Sequence, residues 1–199
     1  MAEKNPIKVI GISGGSGSGK STVAISLCKK YPDVYTLLQI DDYFKKEEFV
    51  PSMHGKLNWD HPDAIDLDKL HQDLQTLLKG EPITIRTKSE LYNPDYRKEL
   101  HNKIYYTIAP KKVILVEGFL AFYDERIRNL FSKKIYLDIP LGKSLKRRTK
   151  FVDGDYYQSI LTPMFEQYVL PTKEFADKVI NVVDKTPEQV EGEVYEFIK

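Results

Sequence analysis

The sequence predicts an α/β fold: a five-stranded, mostly parallel sheet between helices, with a small β-hairpin excursion and a short lid. Three observations lead there. Short apolar runs alternate with segments whose apolar residues recur at helical spacing. A Gly/Ser-rich turn joins the first of these runs to the first helical pattern. Candidate strands end at Gly14 to Ser21, at Asp41 and at Glu117, and parallel sheets bind ligands at their strand C-terminal ends.

Lys8 to Ser13 is the first apolar run, and Ser21 to Lys30 carries Val23, Ala24 and Leu27 at helical spacing. Val34 to Ile40 is a second strand, ending at Asp41-Asp42. Leu67, Leu70, Leu74, Leu77 and Leu78 form a helical stripe, with Asp66 placed to cap its start and Gly80 to close its end. Ile83 to Thr87 and Lys103 to Ala109 read as two strands around a polar segment, a hairpin excursion over about 81–110. Val113 to Val116 is a third buried strand, Asp124 to Phe131 a short helix and Lys134 to Ile139 another strand. Leu141 to Lys150 and Tyr156 to Val169 read as helical, with the lid at about 143–162, and Val179 to Val183 is the last strand. Thr186-Pro187-Glu188-Gln189 combines a capping box with proline at the first helical position and opens a C-terminal helix.

The chain has 199 residues, 41% apolar and 30% charged, an ordinary globular composition for a single domain over 1–199. Lys plus Arg number 30 against 29 Asp plus Glu, so no global charge draws it to nucleic acid or to an anionic membrane. No run approaches the ~20 apolar residues of a membrane span, and no signal-peptide pattern opens the chain. A lone Cys28 excludes an internal disulfide and fits a reducing, cytoplasmic setting. His54, His61, His71 and His101 show no metal-ligand spacing.

Gly14-Gly15-Ser16-Gly17-Ser18-Gly19-Lys20-Ser21 matches G-x-x-x-x-G-K-[ST] between a strand and a helix. Glycines let successive backbone N–H groups converge on phosphate oxygens, and the helix that follows, with Thr22 in its first turn, turns its positive end to the same anion. Lys20 has the reach for the β- and γ-phosphates of ATP, and the Ser21 hydroxyl suits Mg²⁺. This turn defines the P-loop NTPase fold. Neither the guanine-reading N-K-x-D pattern nor the transporter signature L-S-G-G-Q occurs, and the chain is short for a helicase. A small-molecule kinase is the class that remains.

Asp41, at the end of the second strand, is ionised at neutral pH and able to orient an attacking hydroxyl, accept its proton and face the metal. Asp42 reads as a cap or an outer partner of the metal. Glu117 closes a buried strand, where a carboxylate needs a compensating cation such as Mg²⁺ or a salt bridge. Arg147 and Arg148, with Lys143, Lys146 and Lys150, place cations where a transferring phosphoryl group needs them, or form a solvated helix face.

Five stretches resemble the uridine kinase family, in the group that also holds phosphoribulokinase and nicotinamide riboside kinase. They are the Gly11–Ser21 loop, Gln39-Ile40-Asp41-Asp42-Tyr43-Phe44, Leu57-Asn58-Trp59-Asp60-His61-Pro62-Asp63-Ala64, Val116-Glu117-Gly118-Phe119-Leu120-Ala121-Phe122-Tyr123, and Leu170-Pro171-Thr172-Lys173-Glu174-Phe175-Ala176-Asp177. The resemblance implies ATP-dependent phosphorylation of a ribonucleoside 5′-hydroxyl, uridine or cytidine to its monophosphate. It implies Asp41 as the base, Asp60 as the partner of the ribose hydroxyls, and Trp59, Phe44 and Tyr43 around the nucleoside. It also implies Arg97 near the base, and Arg147 and Arg148 in the lid, with Arg148 acting in transfer.

Two stretches depart from that family. Its pyrimidine-reading Tyr-Asp-Phe…His-x-Arg stretch is replaced by Lys88-Ser89-Glu90-Leu91-Tyr92-Asn93-Pro94-Asp95-Tyr96-Arg97, without the His. The lid lacks the Arg-Asp…Arg-Gly-Arg portion, and its Tyr156-Tyr157 and Pro163-Met164 are more similar to nicotinamide riboside kinases. The expectation is a kinase of a small-molecule ribonucleoside. The alternatives are nicotinamide riboside or another small alcohol as acceptor, and a non-catalytic nucleotide switch or scaffold. The sequence sets no oligomeric state.

Overall fold

The computed structural model describes residues 6–96, 102–148 and 154–199, with the side chains of 145–148 outside the description. In chain order, β1 (Lys8–Gly14), α1 (Lys20–Lys30), β2 (Tyr35–Gln39), β3 (Ser52–Met53) and β4 (Lys56–Leu57) lead to α2 (Leu67–Leu78). β5 (Ile83–Thr87), β6 (Ile104–Ile108), β7 (Val113–Glu117), α3 (Glu125–Arg128), β8 (Lys133–Asp138) and α4 (Leu141–Arg148) follow. α5 (Gly154–Tyr156), α6 (Thr162–Met164), β9 (Lys178–Asn181) and α7 (Pro187–Ile198) complete the chain.

The central sheet has the order β2-β7-β1-β8-β9, and every pairing in it is parallel, where the sequence predicted only a mostly parallel sheet. Its strands are apolar along their length because helices cover both faces. Val9, Leu38, Ile114, Val116 and Tyr136 pack on the side of α2. Ile10, Ile12, Leu37, Leu115, Ile135 and Leu137 pack on the side of α1 and α7. Neighbours in one strand therefore serve opposite cores, as the two-residue period of a strand requires.

The predicted caps of α2 and α7 are present. Asp66 accepts from Lys69 N at 2.9 Å, and Gly80, just past the end of α2, has φ +84°. Leu70, Leu74 and Leu77 are wholly buried along one face. Thr186 and Gln189 close a reciprocal capping box on α7, at 2.8 and 3.3 Å. Glu191 then docks α7 on α1 by accepting from Ser26 and Lys30, both at 2.6 Å.

Three segments differ from the sequence reading. The second strand stops at Gln39, and Ile40–Tyr43 forms a single 3₁₀ turn, so Asp41 sits on a turn rather than on the strand end. β3 and β4 form a small antiparallel pair. Its turn has positive φ at His54 (51°) and Gly55 (74°), the geometry of a tight hairpin. The predicted helix from Tyr156 to Val169 is one helical path whose turns widen at Tyr157–Leu161 and Phe165–Val169. Pro163, inside it, donates no N–H, and the wider turns flank the residues around it.

The excursion is the antiparallel pair β5–β6, stitched to the sheet at two points. Tyr92 donates to the Leu37 carbonyl at 2.9 Å and accepts from Leu37 N at 3.0 Å, covering the outer edge of β2. Asp42 accepts from the Thr87 hydroxyl at 2.6 Å and from Lys88 N at 2.9 Å.

Gly11 lies in the centre of β1, where a Cβ would come within 2.5 Å of Phe131 and 2.7 Å of Phe122. Gly11→Val is expected to destabilise the protein by about 2–3 kcal/mol, read as a lowered denaturant midpoint at unchanged slope.

Candidate active site

Between β1 and α1 the backbone turns through Gly14 (φ 143°), Gly17 (φ 76°) and Gly19 (φ 92°), conformations that L side chains rarely adopt. A Cβ on Gly14 would also lie 2.3 Å from the Leu137 carbonyl oxygen. Inside the turn the nearly buried Lys20 ammonium donates to the Gly15 carbonyl at 2.9 Å. Ser16, Gly17, Gly19, Lys20, Ser21 and Thr22 line a cleft of about 950 Å³. Gly14, Gly15 and Ser18 shape the turn without lining that cleft.

Glu117 ends β7 at the floor of this cleft and is buried. Its Oε1 accepts from the Ser21 hydroxyl at 2.8 Å and from Gln39 Nε2 at 2.5 Å. Burial pushes its carboxyl upward against the opposing charge of Lys20, and the nearby Asp41 carboxylate adds to the rise. A serine hydroxyl beside two carboxylates is an all-oxygen donor set. Among the described residues no group of three His, Cys, Asp or Glu forms a closed metal cage. Ser21, Glu117 and Asp41 thus fit a hard cation that takes its other oxygens from phosphate and water.

Asp41 lines the cleft from the turn after β2, with Oδ2 3.1 Å from the Lys88 ammonium. Burial pulls the Lys88 ammonium down, but the Asp41 carboxylate, together with Asp42 and Tyr96, outweighs it, so the net shift is upward. The Lys88 ammonium also sits 5.7 Å from the centre of the Phe44 ring. Phe44 meets Trp59 edge-on at 5.6 Å and stacks on Phe119 at 6.4 Å. Asp60, next to Trp59, accepts from the Tyr156 hydroxyl at 2.9 Å, and the same hydroxyl accepts from Trp59 N at 3.1 Å. Tyr156 therefore joins the helical segment after residue 153 to the Trp59-Asp60 loop.

The structure gathers Lys20, Ser21, Thr22, Asp41, Phe44, Trp59, Asp60 and Glu117 around one cleft. Tyr43, expected beside the nucleoside, is a correction: it is buried in the core and donates to Asp73 on α2 at 2.9 Å. The 3₁₀ turn sends residues 43 and 44 in different directions. Asp42 accepts from Thr87 and from Lys88 N and so holds the excursion. Arg97 lies outside the described residues. Arg147 and Arg148 lie on α4, and their side chains are outside the description as well.

The sequence reading missed Gln39 and Lys88, whose partners lie 78 and 47 positions away. It also left Tyr156 without a role beyond the lid. A lone polar residue ending an apolar strand was the available signal for Gln39. Lys88 had none beyond its place after β5.

A parallel sheet of this order, a phosphate-cradling turn and two acidic residues facing it define a P-loop kinase. The phosphoribulokinase / uridine kinase family pattern matches residues 9–187. A uridine kinase of Geobacillus kaustophilus is 38% identical over 191 residues, covering 89% of this chain and 86% of that protein. A uridine kinase of Borreliella burgdorferi is 34% identical over 184 residues, covering 87% and 85%. The solved structure of a possible uridine kinase from Bacillus stearothermophilus superposes with a TM-score of 0.63 at 20% identity, covering 90% of this chain and 91% of that one. The chain belongs to the phosphoribulokinase / uridine kinase family. It is a phosphotransferase with an alcohol acceptor.

Two outcomes follow from this geometry. Tyr156→Phe removes both hydrogen bonds to the Trp59-Asp60 loop and is expected to raise the acceptor KM about 5–10-fold, with kcat changed less, in steady-state kinetics. Glu117 is raised in the folded protein, so its proton is held more tightly there than in the unfolded chain. Its contribution is present below the ordinary glutamate value and is lost as pH climbs through the raised one. Glu117→Gln is expected to remove that dependence and raise the nucleotide-free Tm at neutral pH by about 2–4 °C, read by calorimetry from pH 4 to 9.

Proposed function

We propose that the chain is a single kinase domain that transfers the γ-phosphoryl group of ATP to the 5′-hydroxyl of a ribonucleoside, uridine or cytidine first. The observation that carries this reading is the shared cleft: the phosphate turn, Asp41 and Asp60 all line it. The uridine kinases among its relatives support the nucleoside as acceptor.

In this reading the backbone N–H groups of residues 15–20 and the Lys20 ammonium hold the β- and γ-phosphates. Val182, Pro187 and Val190 line a smaller groove behind the turn that suits the flat face of a purine. Ser21, Glu117 and Asp41 would hold Mg²⁺, which when bound neutralises charge on the phosphates. Asp60 accepts from the ribose hydroxyls while Trp59, Phe44 and Phe119 cover the apolar side of the acceptor. Asp41 orients the 5′-hydroxyl and takes its proton as the oxygen attacks the γ-phosphorus in line. The new O–P bond forms as the bond to the β-phosphate oxygen breaks, and ADP leaves with the electron pair. Arg147 and Arg148 serve the charge on the migrating group from α4. Among the described residues no helix is long and apolar enough to cross a membrane.

The test is ADP release from Mg-ATP with uridine, cytidine, 2′-deoxycytidine, adenosine and nicotinamide riboside, beside an acceptor-free blank. Turnover with uridine or cytidine, reduced by removal of the 2′-hydroxyl, is expected. Asp41→Asn is expected to lower kcat by about 10²–10⁴-fold with nucleotide affinity retained. Acceptor-independent hydrolysis only, equal in the two proteins, would sink the reading.

A further inference from the structure

We propose that Lys88 is the residue that sets the charge of the acceptor: the site selects neutral or anionic alcohols that present an oxygen acceptor, and rejects cationic ones. The inference deepens the proposed function and rests on the same cleft.

The surroundings of Lys88 are built. Its backbone N–H is held by Asp42, which also holds the hydroxyl of Thr87 beside it. Its ammonium meets Asp41 and the Phe44 ring. A second cleft, of about 560 Å³, lies against the same pair and is lined by Ser21, Lys29, Asp41, Lys88 and Tyr96 among others. Both described clefts that reach Asp41 are thus lined by Lys88. An acceptor that brings its hydroxyl to Asp41 through either cleft therefore enters a space that Lys88 helps to line.

The charge balance then decides what passes. Asp41, Asp60 and Glu117 put three carboxyl groups around the main cleft, set against the ammonium groups of Lys20, Lys56 and Lys88, so the charge an acceptor meets depends on where each ammonium is held. Lys88 is the cation set against Asp41, whereas Lys20 lies in the phosphate turn and Lys56, which also lines the cleft, pairs with Asp155 at 2.6 Å. An ammonium has three donors and no acceptor. Asp41 occupies one, and a carbonyl or carboxylate oxygen of the acceptor satisfies another, while a pyridinium or quaternary ammonium group meets like charge. Removing Lys88 takes away the ammonium in contact with Asp41 and favours the cation.

The experiment compares kcat/KM of the wild type, Lys88→Met and Lys88→Arg with uridine (neutral), orotidine (anionic) and nicotinamide riboside (cationic), using Mg-ATP. The wild type is expected to prefer the neutral and anionic acceptors over the cation by at least about tenfold. Lys88→Met is expected to collapse that preference by about tenfold, largely through KM, and Lys88→Arg to keep it. A merely structural role would lower turnover with all three acceptors alike. A wild type that uses the cation as well as uridine, or a preference unchanged in Lys88→Met, overturns the inference while leaving the kinase reading intact. If no nucleoside is phosphorylated, the kinase reading for nucleosides falls. The charge preference is then read on the same variants with glycerol, glycerate and choline, and absence of a Lys88-dependent preference there overturns it equally.

Discussion

Glu117 brings three separate parts of the chain to one point. It ends the strand between β1 and β2, and its carboxylate receives hydrogen bonds from Ser21 at the start of α1 and Gln39 at the end of β2. A buried carboxylate is unfavourable by itself and needs such partners. The start of α1 after the phosphate turn and the end of β2 before the turn bearing Asp41 are both located relative to this one side chain. Its position follows from the parallel registers of β7 with β1 and β2, where Ile12 and Gln39 lie opposite Glu117. The sheet thus delivers all the reactive ends to the same edge, which is the general property of parallel sheets.

The acceptor side is assembled differently. No strand of the central sheet supplies Phe44, Trp59, Asp60, Lys88 or Tyr156. These residues come from turns and from the excursion, each fixed by a few hydrogen bonds. Asp42 ties β5 to the turn that carries Asp41, Tyr92 ties the following segment to β2, and Tyr156 ties the later helical path to Asp60. Loops held this way can change residue by residue while the sheet stays constant. The described stretch from Lys88 to Tyr96 falls in this part of the molecule.

The widened helical turns on either side of Pro163 belong to the same division. Leu161, Phe165 and Val169 from this path line the cleft, and the Phe165 ring lies against Gly15 of the phosphate turn. A proline inside a helix perturbs the regular ladder, and turns of larger radius restore the backbone pairing around it. The shape of this wall therefore depends on a local irregularity rather than on an ideal helix.

The sequence alone determined the strands of the sheet, the phosphate turn, the caps of α2 and α7 and the roles open to Lys20, Ser21, Asp41 and Glu117. All of these rest on contiguous residues: apolar runs, glycine spacing, and capping residues three positions apart. It placed Asp41 on a strand end and Tyr43 in the cleft because residue spacing does not show where a strand gives way to a 3₁₀ turn. It could not pair Lys88 with Asp41, Gln39 with Glu117 or Tyr156 with Asp60, since the members of each pair are separated by several intervening elements of the chain. The tertiary structure decided those contacts, because only the packing of the excursion and the later helical path against the sheet brings the partners within hydrogen-bonding distance.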